Sequence, residues 1–299
     1  LRAADFLNIQ DGDSVMPDVF IAGATGYLGR YLCAEYRKRG WHVRALVRDA
    51  VRAEDLEADR LIVAEATRPE TLCNSMDGVD LVVSALGITR QADGLSYREV
   101  DYQANLNLLV EAQKAGVQRF TYIHVLNASS MSQVPLVAAK MAFVQALQSS
   151  DIPSTVIAPS GYFSDMADFL KMAQSGRVWM FGAGTHCINP IHGADLAVAA
   201  ADAAAAGNEW LDVGGPDILS HCELAMAAFS ALGKPVRITR LPDWLRRAAL
   251  VLLPCLTPRR IHGPAQFFLT ALGQDMIGTP HGRRHVVDHF AELARAKAL

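Results

Sequence analysis

The chain has 299 residues and a formal net charge of −3, with 28 Lys and Arg against 31 Asp and Glu. That length suits one large domain with a substantial core, and the charge balance points away from nucleic acid and from a membrane held by bulk charge. Five cysteines (Cys33, Cys73, Cys187, Cys222, Cys255) are far apart, odd in number and without a CxxC pair, which argues against a disulfide framework and a zinc site. No metal is expected, the setting is read as reducing and cytoplasmic, and small molecules or other proteins are the expected partners.

Residues 1–15, "LRAADFLNIQDGDSV", precede Met16 and are expected to be an N-terminal extension outside the fold, with no signal-peptide pattern ahead of the first strand. From Asp18 onward, short β-branched runs alternate with helical stretches. Strands are predicted at "DVFIA", "HVRALV", "RLIVA", "DLVVSAL", "QRFTYIHV" and "PSTVIA", and helices over 27–39, 96–115 and 135–149. Near-continuous apolar strands separated by helices require a parallel sheet covered on both faces, because each crossover lays a helix over the sheet. Residues 16–160 therefore predict a Rossmann-type, doubly wound α/β domain.

Beyond residue 160 the alternation loosens into helical patterns such as "HGADLAVAAADAAAAG", "HCELAMAAFSALG" and "PAQFFLTALGQDM", with the short strands "EWLDV" and "VRITR" between them. Residues 161–299 predict a smaller, helix-rich C-terminal substrate lobe packed on the core as one compact unit with a cleft between. The segment "DWLRRAALVLLPCLTPRR" has arginines at both ends of an apolar centre. Packing against the lobe is the preferred reading, and contact with a membrane surface or a lipid-like substrate is the alternative. Its apolar run is broken by Pro254 and falls far short of the roughly 20 residues that span a bilayer.

Gly23, Gly26 and Gly29 form G-x-x-G-x-x-G between the first strand and the first helix, with Thr25, Tyr27 and Leu28 among them. In this context the first glycine allows a tight turn, the second admits a pyrophosphate to the backbone, and the third lets helix and strand pack. The helix N-terminus adds unpaired N–H groups and a positive dipole end. At the tip of the second strand, Arg48 precedes Asp49, with Arg44 assigned to the same strand face. An arginine there suits a ribose 2′-phosphate and an acid suits a 2′-hydroxyl, so NADP(H) is preferred and NAD(H) stays open.

The quoted stretches resemble the short-chain dehydrogenase/reductase superfamily, in its atypical NmrA-like branch with isoflavone-reductase-like and vinyl-reductase-like proteins. "GATGYLGRYL", "VDYQANLNLLVEAQKAGVQRFTYI", "STVIAPSGYFSDM", "NPIHGADLAVAAADA" and "LDVGGPDILSHCELA" carry the likeness. The resemblance implies that Ala85, Leu86 and Gly87 run under the adenine ribose and pyrophosphate, and that residues 159–163, including Pro159, Gly161 and Phe163, lie beside the nicotinamide. Standard members use a Tyr-x-x-x-Lys pair; here Lys140 is kept, but Leu136 stands in the tyrosine's place. The usual serine is not evident either, although Ser129 and Ser130 are near.

Lys140, among small and apolar neighbours, is a candidate ribose ligand and proton donor, since such surroundings can depress a lysine pKa; a solvated helix edge is the alternative. Tyr162 is the candidate for the missing hydroxyl, or a pocket wall. His124 is read as a core histidine before an acid or base, and His192 with Asp195 as a helix start capped by Asp195. Asp101, Asn105 and Asn107 either fix loops around the cofactor or sit at solvated positions. The expected activity is NADPH-dependent reduction of a conjugated or cyclic apolar substrate (a quinone, enone or aromatic ketone), in a cleft covered by Tyr162, Phe163, Phe169, Trp179 and Phe181. The alternative is a catalytically silent NAD(P)-binding sensor or assembly factor.

Overall fold

The computed structural model describes residues 16–88 and 94–296, apart from the side chain of Arg259. The expected N-terminal extension, residues 1–15, lies outside the described residues. The first half alternates as the apolar runs require: β1 (Asp18–Ala22), α1 (Tyr27–Lys38), β2 (His42–Val47), β3 (Arg60–Val63) and β4 (Leu81–Ser84). A π-helical turn over Arg98–Ala104 leads into α2 (Asn105–Ala115), followed by β5 (Arg119–Ile123), α3 (Pro135–Gln148) and β6 (Ser154–Pro159). Pro135 opens α3 at its first position, where its missing N–H leaves no helical bond unmade.

The second half contains α4 (Phe163–Gln174), β7 (Val178–Phe181), β8 (Cys187–Ile188), α5 (Gly193–Ala206), β9 (Trp210–Gly214) and β10 (Leu219–Ser220). After these come α6 (His221–Ala231), β11 (Ile238–Leu241), α7 (Asp243–Leu256), α8 (Arg259–Ala271), β12 (Thr279–Pro280) and α9 (Val286–Ala296). Eight strands form one parallel sheet in the order β3-β2-β1-β4-β5-β6-β9-β12. The chain runs outward from β1 to β3 and then returns to β4 on β1's other side. Ile21 is thus flanked by Ala45 and Val83, and a crevice opens beyond the carboxyl ends of β1 and β4, where the strand order reverses.

Leu28, Leu32 and Tyr36 of α1 pack with Leu196 and Ala200 of α5 on one face of the sheet. The alanine-rich sequence of α5 lets the two helices approach closely; a Cβ on Gly193 would stand 2.3 Å from Tyr31 Cδ2. On the other face, Leu108 of α2 and Phe143 and Leu147 of α3 cover Phe20 and Val82. A third cluster holds Phe163, Leu170, Leu224, Phe229 and Phe290 from α4, α6 and α9, and reaches Leu136 and Val137 of α3. This shared packing seats the C-terminal elements beside the crevice.

One expectation changes. His192, not Asp195, caps α5: its Nδ1 accepts from Ala194 N at 3.1 Å. Asp195 is buried instead, accepting from the backbone N–H groups of Arg283 and Arg284 and pairing with the Arg284 guanidinium. In α7, Arg246 is the one buried residue. One side of the helix packs on α8 and β7, while Trp244, Val251, Leu252 and Leu256 are exposed on the other. Among the described residues no helix is long and apolar enough to cross a membrane.

Candidate functional site

The glycine turn needs its glycines for three different reasons. Gly23 adopts φ +77°, and a Cβ on it would lie 2.8 Å from the Ala85 carbonyl carbon, so the turn presses against the strand end across the crevice. A Cβ on Gly29 would fall 2.0 Å from Gly23 O, which locks the helix onto the turn. Gly26 is the N-cap of α1, donating its N–H to Gly23 O at 3.0 Å, with no acidic side chain in the first helical turn. The α1 N-terminus is thus left to present its unpaired first-turn N–H groups and dipole to an anion.

Gly23, Thr25 and Gly26 form one wall of a groove of about 220 Å³; Ala85, Leu86 and Gly87 form another. Arg48 lines the same groove at the tip of β2, as do Glu65 and Thr67. Asp49 is differently engaged: its carboxylate accepts from Val51 N at 3.0 Å and stands 3.5 Å from Arg52, holding the following turn. Arg44, four residues before Arg48 on the same side of the strand, pairs with Asp18 and donates to Asp77 O at 2.7 Å. A residue placed midway along a strand cannot reach ligands that bind beyond its carboxyl end.

Ala85, Gly87 and Ile88 also line a second cavity of about 210 Å³, so the two spaces adjoin along the β4 end. Beneath this backbone lies a buried ion pair. Lys140 Nζ stands 3.4 Å from Asp101 Oδ1, 3.2 Å from Ile123 O and 3.4 Å from Tyr122 Oη. The other Asp101 oxygen accepts from Ile88 N at 3.3 Å. A Cβ on Gly87 would meet Asp101 Oδ1 at 2.6 Å and Lys140 Nζ at 3.1 Å, so only glycine lets the chain cross the pair. Burial pushes the Asp101 carboxyl up to about 6, although Lys140 and the Ile88 N–H favour its charged form.

The Asp101 position, in the π-helical turn, is one that sequence reasoning left between two readings; the solvated one is excluded because Asp101 and Asn105 are both fully buried. Asn105 accepts from Ser84 Oγ at 2.5 Å and donates to Leu86 O at 3.3 Å, pinning the β4 end, while Asn107 donates to Ala66 O at 2.9 Å beside the groove. Their i, i+4 spacing from Asp101 to Asn105, in a run facing the sheet, was the available signal.

The second cavity is mainly apolar. Leu136 and Lys140, one helical turn apart on α3, both face it, as do Pro159, Gly161 and Tyr162. Phe169, Ile188, Phe267, Phe268 and Met276 close it from the C-terminal half. The α8 phenylalanines were not foreseen, because nothing in their local pattern separates a cavity wall from a packed face. Burial raises the Tyr162 phenol above its ordinary pKa, so it stays protonated. His124 also lines the cavity; burial and then Lys140 lower it to about 3, and its Nδ1 has no hydrogen-bond partner among the described residues. It is therefore a neutral imidazole across the physiological range.

Other expected site residues are used elsewhere. The Leu28 side chain is core, and Tyr27 Oη accepts from Gly193 N at 3.1 Å, which leaves only their backbone N–H groups for the groove. Phe163 packs against His192 and His289 rather than the cavity, and Trp179 is half exposed on β7. Ser129 and Ser130 are exposed; Ser130 Oγ is bonded to Asn127 O and Gln274. Neither stands in for the missing catalytic serine.

An NAD(P)H-binding family model matches residues 23–204, from the first glycine of the turn to the end of α5. The chain belongs to this NAD(P)H-binding family. Among relatives, it is 26% identical over 230 residues to the photosystem II assembly factor Ycf39 of Synechocystis, covering 75% of this chain and 70% of that protein. It is 29% identical over 254 residues to the chloroplastic divinyl chlorophyllide a 8-vinyl-reductase of Arabidopsis thaliana, covering 75% of this chain and 60% of the reductase. The latter agrees with the vinyl-reductase-like resemblance. In fold, the chain is similar to the Escherichia coli NADPH-dependent quinone oxidoreductase complexed with NADPH, at a TM-score of 0.75 and 20% identity, covering 92% of this chain and 99% of that one.

Proposed function

We propose that the chain is an NADPH-dependent reductase of a conjugated or cyclic apolar substrate, such as a quinone, enone or aromatic ketone. The observation that carries this reading is the junction at Gly87, where an anion-ready groove runs over the Asp101–Lys140 pair into an apolar cavity. The groove fits a dinucleotide: its turn excludes side chains where a pyrophosphate approaches, and the helix N-terminus facing it has no acid in its own first turn. Arg48, the strand-tip cation that lines it, is assigned to a 2′-phosphate, while Asp49 holds the following turn. The NADPH complex of the quinone oxidoreductase neighbour supports the same choice.

When bound, NADPH supplies a hydride. Lys140 is assigned to the nicotinamide ribose and, as an ammonium at the cavity edge, to delivering a proton to the substrate. Asp101 orients that ammonium. Tyr162 keeps its proton and is assigned to orient a polar atom of the substrate, while Leu136, Phe169 and Met276 exclude water. Leu136 supplies no acid, so a conjugated acceptor suits the site better than a simple ketone.

The same Leu136 favours a second reading, a nucleotide-binding assembly factor that does not turn over, and the Synechocystis relative supports it. Titration with NADPH, NADP+, NADH and NAD+, followed by NADPH oxidation with quinones and enones, separates the two. A reductase prefers NADPH and consumes it, with Lys140→Ala slower. A sensor binds the oxidised forms as well or better and consumes neither.

A further inference from the structure

The uncovered face of α7 is a patterned surface. Trp244, Arg247, Val251, Leu252 and Cys255 are all exposed, and their spacing of three to four residues places them on one side of the helix. Val251 is 71% exposed and Leu256, at the helix end, 74%. The opposite side is occupied by Arg246, which is buried against Asp243 and donates to Leu269 O. The helix thus turns the Arg246 guanidinium inward on one side and presents Val251 and Leu252, with Arg247, to water on the other. Exposed apolar surface of this kind marks contact with another phase or partner.

Three features specify the occupant. Residues 242–260 contain four arginines and one aspartate; Arg246 is turned inward and shares Asp243 with Arg247, and Arg247 and Arg260 are exposed, which gives this segment a cationic excess on a chain whose net charge is −3. Strand β7, against which α7 packs, adds half-exposed Trp179 with the Arg177 guanidinium 5.7 Å from its ring centroid. Tryptophan and arginine around an aliphatic patch suit the headgroup level of a bilayer. Finally, α8 packs on α7 and turns Phe267, Phe268, Ala271 and Leu272 into the apolar cavity.

We propose that the exposed face of α7, with Trp179 beside it, docks peripherally on an anionic lipid surface, so that an apolar substrate dissolved in the lipid reaches the cavity along α8. The substrate clause rests on the reductase reading; the docking does not. A two-fold pairing of this face with a second copy is disfavoured, because a self-facing patch brings its own arginines together.

The test is flotation of the full chain with vesicles of phosphatidylcholine alone and of phosphatidylcholine with phosphatidylglycerol, with NADPH binding measured on the same preparations. The chain is expected to float with the anionic vesicles, less so at raised salt, and Trp fluorescence is expected to shift to the blue. The double variant Val251→Glu, Leu252→Glu is expected to lose about tenfold or more in vesicle affinity while binding NADPH as wild type does, since both side chains already face water. Failure to float with anionic vesicles, or equal flotation of the variant, overturns the proposal. So does a concentration-dependent dimer that the variant abolishes, which would give this face to a second copy. Absence of NADPH binding with intact flotation would instead remove the reductase reading and leave the docking surface standing.

Discussion

Lys140 Nζ lies 3.4 Å from Asp101 Oδ1, and that carboxylate is fully buried, so the pair is a fixed part of the floor between groove and cavity. Removing one partner leaves the other charge buried and unpaired. Lys140→Ala is expected to destabilise the fold by about 3 kcal/mol and to slow NADPH oxidation by about a hundredfold through loss of the proton donor. Urea unfolding and steady-state kinetics would check the two effects; a variant with the wild-type rate would remove Lys140 from the chemistry.

The same pair makes stability depend on pH. The Asp101 carboxyl is raised from 3.8 to about 6 in the fold, so it favours the folded state while protonated. Its contribution is complete below pH 3.8 and disappears as pH rises through about 6, a change on the order of 3 kcal/mol. Relative to Asp101→Asn, the wild-type protein is therefore expected to lose stability between pH 4 and 6 and then to level off. A stability difference that stays constant across that window would show that Asp101 is not strained by burial.

His124 acts in the opposite sense. Its pKa is lowered from 6.5 to about 3 by burial and then by Lys140, so its stabilising contribution is complete above pH 6.5 and is lost on acidification through pH 3. Its imidazole NMR signals are expected to stay those of the neutral ring from pH 5 to 8. Any rate inflection in that range must then come from another group; a His124 titration near pH 6.5 would contradict the burial argument.

Gly87→Ala would drive a methyl group to 2.6 Å from Asp101 Oδ1 and 3.1 Å from Lys140 Nζ. The displaced pair is expected to cost about 1 to 3 kcal/mol and to weaken NADPH binding. Gly94→Ala, at an exposed glycine with nothing among the described residues within 4 Å of the added Cβ, should leave NADPH binding unchanged despite its own backbone strain at φ +77°. Calorimetric titration of both variants distinguishes a blocked crossing from general glycine loss.

Arg48→Ser should weaken NADPH binding by about tenfold or more, as expected on losing a charge-assisted contact to phosphate, and should leave NADH binding nearly unchanged. Asp49→Asn should change neither, because Asp49 serves the turn at Val51. Equal losses for both cofactors in Arg48→Ser would reassign Arg48 to the shape of the groove.

Much of this architecture is local in origin and was legible in the chain. Continuous apolar runs such as "LVVS" become β4, buried at every position, because a sheet covered on both faces accepts no polar alternation. The glycine triplet announces its turn because positive φ and contact with backbone exclude other residues. Lys140 and Leu136 share a cavity because four residues make about one helical turn.

What the sequence left undetermined depends on which distant segments meet. Asp101 reads equally as a solvated helical residue until α3 places an ammonium beside it and the β4 end crosses above. The α8 phenylalanines become a cavity wall, and α7 an uncovered apolar face, only once the C-terminal elements settle on the sheet. Local pattern determines the shape of each element and which of its faces is apolar. What a face is set against, whether core, cofactor, substrate or lipid, is decided by tertiary packing, since desolvation and charge pairing act between residues far apart along the chain.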